Sequence, residues 1–221
     1  MSGMERMPEP ELMDNPEQVK AYADEDFSEA HNQLVDAFVQ HFPGLRPASI
    51  LDLGCGAADV TLRFARRFPQ ASLLGLDAGI NMLARARQEV LAAGLDKQIS
   101  LLQAHLPDHG LVPHSFESII SNSLLHHLEN PEVLWSSIKE SGQAGAAVAV
   151  MDLLRPESEA QLAELVELYA GQAAPLLKQD FVHSLAAAYS LNEVEAQLER
   201  AGLSLSVEAI SDRHFLVWGR L

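Results

Sequence analysis

Between residues 49 and 152 short apolar runs alternate with amphipathic stretches. Ser49-Ile50-Leu51-Asp52-Leu53, Leu73 to Leu76, Ile99 to Leu102, Phe116 to Ser121 and Ala146 to Asp152 have the length and near-continuous apolarity of buried strands. Between them lie helical patterns over Val60 to Phe68, stopped by Pro69, and over Ile80 to Ala93, stopped by Gly94. Asn130-Pro131 starts a third such pattern, which runs to about Ser141. Strands buried on both sides and separated by helices predict a parallel sheet with helices on both faces.

The flanks read differently. Residues 16–40 form one helical pattern through Val19, Tyr22, Phe27, Leu34, Val35, Phe38 and Val39, broken by Pro43-Gly44 and Pro47. Residues 156–188 read as helical throughout (Leu162, Leu165, Val166, Tyr169, Leu176, Leu177, Phe181, Leu185), too long for an ordinary crossover, and are expected to form a lid over the sheet edge. Ser190-Leu191-Asn192-Glu193 has capping-box spacing and opens a helix to Gly202. Leu203 to Ile210 and His214 to Trp218 then predict an antiparallel hairpin. The expected organisation is a helical cap over residues 1–45 and an α/β unit over 46–221 that includes the lid.

At 221 residues, 48% of them apolar, the chain suits one domain and is too apolar for disorder. The uncharged run from Ala144 to Met151 falls short of the roughly 18–20 residues that cross a bilayer. The first residues lack the basic and apolar regions of a secretory leader, which predicts a cytoplasmic protein. Fifteen bases against 31 acids give a net charge of −16, and residues 1–30 alone carry nine acids and two bases. Such a field repels nucleic acid and anionic membranes. Arg63, Arg66 and Arg67 read as the solvated face of a helix. The single cysteine, Cys55, excludes an internal disulfide, a cysteine-rich zinc site and an iron–sulfur cluster.

The chemistry is concentrated in Ile50-Leu51-Asp52-Leu53-Gly54-Cys55-Gly56-Ala57-Ala58-Asp59, where a strand runs through two glycines into a helix. Glycines there allow a tight turn and close backbone approach to a ligand at the carboxyl end of the first strand. Asp77, 21 residues beyond Gly56, can accept hydrogen bonds from two ribose hydroxyls. A dinucleotide fingerprint would place a third glycine where this chain has Asp59, an acid on the pyrophosphate position. Asp52 likewise opposes a phosphate and suits a ligand carrying an ammonium group. The loop therefore points to an adenosine ligand without phosphates.

With these motifs the chain resembles a class I S-adenosylmethionine-dependent methyltransferase of the small-molecule type. The likeness covers roughly residues 48–152 by motif and 190–218 by topology. It implies a Rossmann-like, doubly wound seven-stranded sheet, mostly parallel, with an antiparallel C-terminal hairpin. It implies S-adenosyl-L-methionine as cofactor and S-adenosyl-L-homocysteine as product. Asp52, Gly54, Cys55 and Gly56 would line its methionine and ribose part, Asp77 its ribose hydroxyls, and Ala78 its adenine. Ser121-Asn122-Ser123-Leu124-Leu125-His126-His127 resembles the fourth motif, with Ser121 and Asn122 beside the transferable methyl. Two departures stand out. Ala58 replaces a frequent third glycine, a mild change in size. Gln103-Ala104-His105-Leu106-Pro107 lacks the usual adenine-facing aspartate, so Ala104 and His105, or Gln103, would have to serve there. Tyr22 would close over the cofactor or pack in the core.

For the reaction, an in-line displacement onto oxygen, nitrogen or sulfur, His126 is the first candidate base, with His183 and Asp152 behind it. His126 and His127 are expected to point apart, and with no carboxylate at ligand spacing they read as no metal site; no metal is required. Arg155 and Asp152 end the fifth strand at the same crevice or close a loop by a salt bridge. The expected partner is a small-molecule acceptor, with a protein acceptor left open. Two rival readings remain: a non-catalytic S-adenosylmethionine-binding sensor or partner subunit, and an NAD-linked oxidoreductase.

Overall fold

The computed structural model describes residues 4–9, 14–25 and 27–221. The first region holds α1 (Pro16–Asp24) and α2 (Ser28–His41). The central region follows as β1 (Ser49–Leu53), α3 (Asp59–Arg67), β2 (Ser72–Asp77), α4 (Ile80–Ala92), β3 (Ile99–Gln103), β4 (Phe116–Asn122), α5 (Glu132–Ser141) and β5 (Gly142–Leu153). Two helices come next, α6 (Glu159–Ala170) and α7 (Pro175–Ala187), then α8 (Leu191–Ala201), β6 (Ser206–Ala209) and β7 (His214–Arg220).

All seven strands join one sheet in the order β3-β2-β1-β4-β5-β7-β6. The first five are parallel, and β7 runs antiparallel between β5 and β6. Chain order reverses between β1 and β4, which opens a crevice at their carboxyl ends, where open α/β sheets bind ligands.

Strand alternation decides which helices lie on which face. Ile50, Leu73, Ile99, Ile120 and Ala149 point to one side, into a core with Leu34 and Phe38 of α2, Phe64 of α3 and Ala86 and Val90 of α4. Leu51, Leu53, Ile119, Val148, Val150 and Phe215 point to the other, against Leu134, Trp135 and Ile138 of α5 and Val194 and Leu198 of α8. Burying Trp135 strands its indole N–H, which donates to Gln197 Oε1 at 2.9 Å and so ties α5 to α8.

Two long helical patterns are each two helices. The first breaks between α1 and α2, where Glu25 already has extended backbone and the Tyr22 ring packs tilted against Phe27 at 4.8 Å. The second breaks at Gly171–Ala174, with Pro175 opening α7, so that α6 and α7 double back and pack together beside Leu153 at the end of β5. Periodicity cannot register such a reversal, because both arms keep the same 3.6-residue apolar stripe. The capping box at Ser190 and Glu193 forms as its spacing predicts.

His214 begins β7, nearly buried, with Nδ1 3.1 Å from Ser211 Oγ. Burial, helped by the Arg213 charge, holds its pKa down at about 4. A histidine whose folded value lies below its unfolded 6.5 binds its proton more tightly when unfolded. Its contribution is therefore intact above about pH 6.5 and lost as the pH falls toward 4, by up to about 3 kcal/mol. Urea unfolding of His214→Gln should accordingly lose less stability than wild type between pH 7 and pH 4.5; parallel pH dependences would refute the assignment.

Candidate active site

The turn leaving β1 runs through three left-handed residues, Gly54 (φ +75°), Gly56 (φ +50°) and Ala58 (φ +68°). Gly54 N and Cys55 N both donate to Leu76 O of β2, at 2.8 and 3.0 Å, which folds the turn back over the sheet. A Cβ on Gly54 would stand 2.9 Å from the Leu124 side chain, whereas one on Gly56 would meet nothing within 4 Å. Gly56 is thus required for its backbone angle, and open space lies beside it. Replacing glycine by Ala58 is not a matter of size: a buried methyl residue in the left-handed region carries a backbone cost of roughly 1–2 kcal/mol. Cys55 turns its thiol down onto β2, where Gly75 makes room, since a Cβ there would come within 2.9 Å of the sulfur. Burial pushes that thiol's pKa well up, so Cys55 offers the crevice its backbone rather than a nucleophile.

Asp77, at the end of β2, accepts from Gly56 N and Gly79 N, each at 2.8 Å. Its two oxygens thereby clamp the first turn to the second. Burial raises its pKa against those donors, and nearby Asp14 adds to the rise. Asp52 is buried beneath the turn and accepts from Thr61 Oγ1 at 2.6 Å; burial, with Asp77 nearby, raises its pKa to about 7. Asp14 caps α4, accepting from Asn81 N at 2.8 Å and Met82 N at 3.3 Å. Asp59 starts α3 and is 2.6 Å from His31 Nδ1 and 2.8 Å from Arg63 Nε. Burial alone would raise its pKa, but these two partners bring it down to about 2. Tyr22 of α1 packs with Val19, Ala57 and Met82 over the turn. Burial, and the charges of Asp59, Asp77 and Asp152, push its phenol up to about 12.

The remaining positions gather around the same turn. Ala104 N donates to Asp77 O at 3.0 Å, and Gln103 Nε2 donates to Ala78 O at 3.2 Å, so the end of β3 is laced to the end of β2; His105 is exposed. Ser121 Oγ donates to Leu53 O at 2.8 Å. Asn122 Nδ2 donates to Ser123 Oγ, while its Oδ1 is buried with no hydrogen-bond partner among the described residues. An orphaned acceptor, open space beside Gly56 and a ring of four carboxylates (Asp14, Asp52, Asp59, Asp77) suit a cationic nucleoside and disfavour a pyrophosphate.

Beyond Asn122 a 3-10 turn, Leu125–His127, presents the two histidines. Asp152 of β5 accepts from Leu125 N at 2.6 Å and Leu153 N at 2.7 Å and stands 2.5 Å from His126 Nδ1. Burial opposes both charges. The pair overcomes it, lowering the carboxyl pKa and raising the imidazole. The two rings do not diverge as adjacency suggested; they lie 4.2 Å apart and share Glu9, whose Oε1 is 3.4 Å from His126 Nε2 and 3.2 Å from His127 Nδ1. A carboxylate therefore does lie at ligand spacing, delivered from far away in sequence. Of the other candidates, His183 is exposed on α7, near enough for its charge to act on Glu9. Arg155 turns away to Glu193 at 2.8 Å and Ala188 O, the loop-closing role. Tyr169, in the lid pattern, donates its hydroxyl to Asp212 beneath the Arg213 guanidinium.

Sequence reading missed Arg6, Glu9, Asp14 and Ser184. Arg6 lies over the Tyr189 ring and donates to Ala187 O, His126 O and Leu128 O, and Met7 N donates to Ala186 O. These bonds strap residues 4–9 across α7 and the histidine turn, and Ser184 Oγ donates to Glu9 Oε1 at 3.1 Å. The strap has no periodicity to reveal it; its only local sign is an Arg and a Glu in a proline-broken, irregular segment.

Comparison with known proteins agrees with this geometry. The methyltransferase domain family matches residues 50–141. An uncharacterised methyltransferase of Mycobacterium tuberculosis is 28% identical over 155 residues, 70% of this chain and 73% of that protein. Trans-aconitate 2-methyltransferase of Deinococcus radiodurans is 34% identical over 103 residues, 47% of this chain and 37% of that protein. Among solved structures, an S-adenosylmethionine-dependent methyltransferase from Aquifex aeolicus superposes with a TM-score of 0.69 at 20% identity, over 93% of this chain and 98% of the other. The domain match, the strand order and these relatives support a class I S-adenosylmethionine-dependent methyltransferase.

Proposed function

We propose that this methyltransferase acts on a small-molecule acceptor at the Asp152–His126 pair. The observation that carries the reading is that pair itself: a buried carboxylate and imidazole at the carboxyl ends of β4 and β5, just beyond Asn122. Asp52, the backbone of Gly54, Cys55 and Gly56, Ser121 and Asn122 hold the methionine end and ribose of S-adenosylmethionine. Asp77 takes the ribose hydroxyls, Ala78, Ala104 and His105 border the adenine, and Tyr22 closes over it. Once bound, the cofactor supplies a methyl group already activated on a sulfonium sulfur.

The protein's own part is positioning and proton handling. Asp152 holds the Nδ1 side of His126, which leaves Nε2, on the side of Glu9, as the nitrogen that can take a proton. An acceptor oxygen, nitrogen or sulfur aligned here would take the methyl in line as its bond to sulfur breaks and S-adenosylhomocysteine leaves, and the acceptor's proton would pass to that nitrogen. Alignment contributes roughly 7–11 kcal/mol and a well-placed base a factor of about 10² to 10⁴. His183 flanks this space from α7. We read residues 1–45 as a cap and 156–188 as a lid, which together choose the acceptor.

The net charge of −16 supports a metabolite over a nucleic acid, and three relatives are named as trans-aconitate 2-methyltransferases. A single, buried cysteine is consistent with the cytoplasm. The non-catalytic reading is not favoured, because a sensor has no need of a buried Asp–His pair. Asp59 at the start of α3, where a pyrophosphate would sit, disfavours the NAD-linked reading.

Two measurements test this assignment. Asp77→Ala should weaken S-adenosylmethionine binding by at least about tenfold in calorimetry, since it removes the ribose partner and unclamps the glycine turn; unchanged affinity would overturn the cofactor site. His126→Ala should keep cofactor affinity within a few fold while slowing transfer of labelled methyl into a small-molecule extract by about 10²-fold or more. Undiminished transfer would remove His126 from the chemistry.

A further inference from the structure

We propose that Glu9, His126 and His127 form a binding site for a divalent first-row transition-metal ion, with Asp152 and Ser184 orienting the ligands from behind. Glu9 Oε1, His126 Nε2 and His127 Nδ1 converge so that all three lie within 4.8 Å of one another. The carboxylate oxygen is 3.4 Å from one nitrogen and 3.2 Å from the other. Ligands each about 2.0–2.2 Å from a common ion stand about 3.0–3.5 Å apart at octahedral to tetrahedral angles. Direct charged hydrogen bonds between the same atoms would close to about 2.7–2.9 Å. The two carboxylate–imidazole spacings therefore fit an ion bridging Glu9 to each histidine better than direct contact.

The surroundings have the form such sites take. Asp152 engages His126 Nδ1, which fixes the ring and turns the Nε2 lone pair toward Glu9 and His127, the arrangement by which a carboxylate supports a metal-bound histidine. Ser184 Oγ holds the liganding oxygen of Glu9 at 3.1 Å. Glu9 is anchored through its own segment, by Arg6 and Met7 on α7 and the histidine turn. All three ligand side chains are largely shielded, His126 at 3%, Glu9 at 11% and His127 at 14% exposed. Two imidazoles and one carboxylate suit zinc or iron over magnesium or calcium, and three protein ligands leave a position for a substrate atom.

The assignment goes beyond the methyltransferase reading and leaves the cofactor site untouched. It does change what His126 does. Proton and ion compete for the same Nε2, so in the loaded protein coordination would lower the acceptor's pKa and its proton would pass to solvent water rather than to His126.

The test is titration of chelator-treated full-length protein with Co²⁺ and Zn²⁺, following cobalt absorption and calorimetry, with S-adenosylmethionine binding measured in parallel. One ion per chain is expected. Glu9→Ala and His127→Ala should each weaken Co²⁺ binding by at least about tenfold, and Asp152→Asn by about 10- to 100-fold, with cofactor affinity retained in the Glu9 and His127 variants. No stoichiometric binding, or the same affinity in both ligand variants, overturns the metal site. Retained cofactor binding in that case leaves the methyltransferase reading standing. Should either variant fail to fold, side-chain histidine NMR of the wild type decides. One equivalent of Zn²⁺ must shift one Nε2 and one Nδ1 resonance, and unchanged spectra refute the site.

Discussion

The whole site depends on one clamp. Asp77 accepts from Gly56 N and Gly79 N, joining the turn after β1 to the turn after β2, and Leu76 O holds Gly54 and Cys55 from below. Both turns lie at the point where strand order reverses, so the clamp fixes the two walls of the crevice relative to each other. Left-handed backbone at Gly54, Gly56 and Ala58 is what lets the chain reverse tightly enough for Gly56 N to reach Asp77. Gly75 belongs to the same device although it lies in mid-strand: without a side chain there, Cys55 can settle onto β2.

Electrostatics decides what the crevice can hold. Four carboxylates surround the turn, two with raised pKa values because burial outweighs their hydrogen bonds. Anionic phosphates would add to that repulsion, whereas a ligand bearing ammonium and sulfonium charge relieves it. Asp59 is the exception. His31 and Arg63 keep it ionised, which couples α2 to the start of α3 and leaves that helix end unsuited to a phosphate.

The cluster around the two histidines is assembled from parts distant in the chain. His126 and His127 come from the turn after β4, Asp152 from β5, Ser184 from α7, and Glu9 from a strap that crosses them all. Arg6 locks the strap by donating to three backbone carbonyls from two elements while its guanidinium covers Tyr189. That arrangement gives the irregular N-terminal segment a place in the site that its sequence would not suggest.

Alternating apolar runs were enough to read the sheet, its covering helices and the C-terminal hairpin, because strand and helix periods are local properties of the chain. The glycine turn, Asp52 and Asp77 could be placed in the fold for a related reason: their positions follow from strand ends and from fixed spacing. Periodicity could not show that residues 16–40 and 156–188 each fold into two helices, since a reversal between two amphipathic arms leaves the stripe intact. Nor could it pair Glu9 with His126 and His127, 117 and 118 residues away, or turn Arg155 toward Glu193. Those contacts are set by how whole elements pack and by the need to satisfy charges buried in the process, and no local pattern encodes which distant carboxylate will meet a given imidazole.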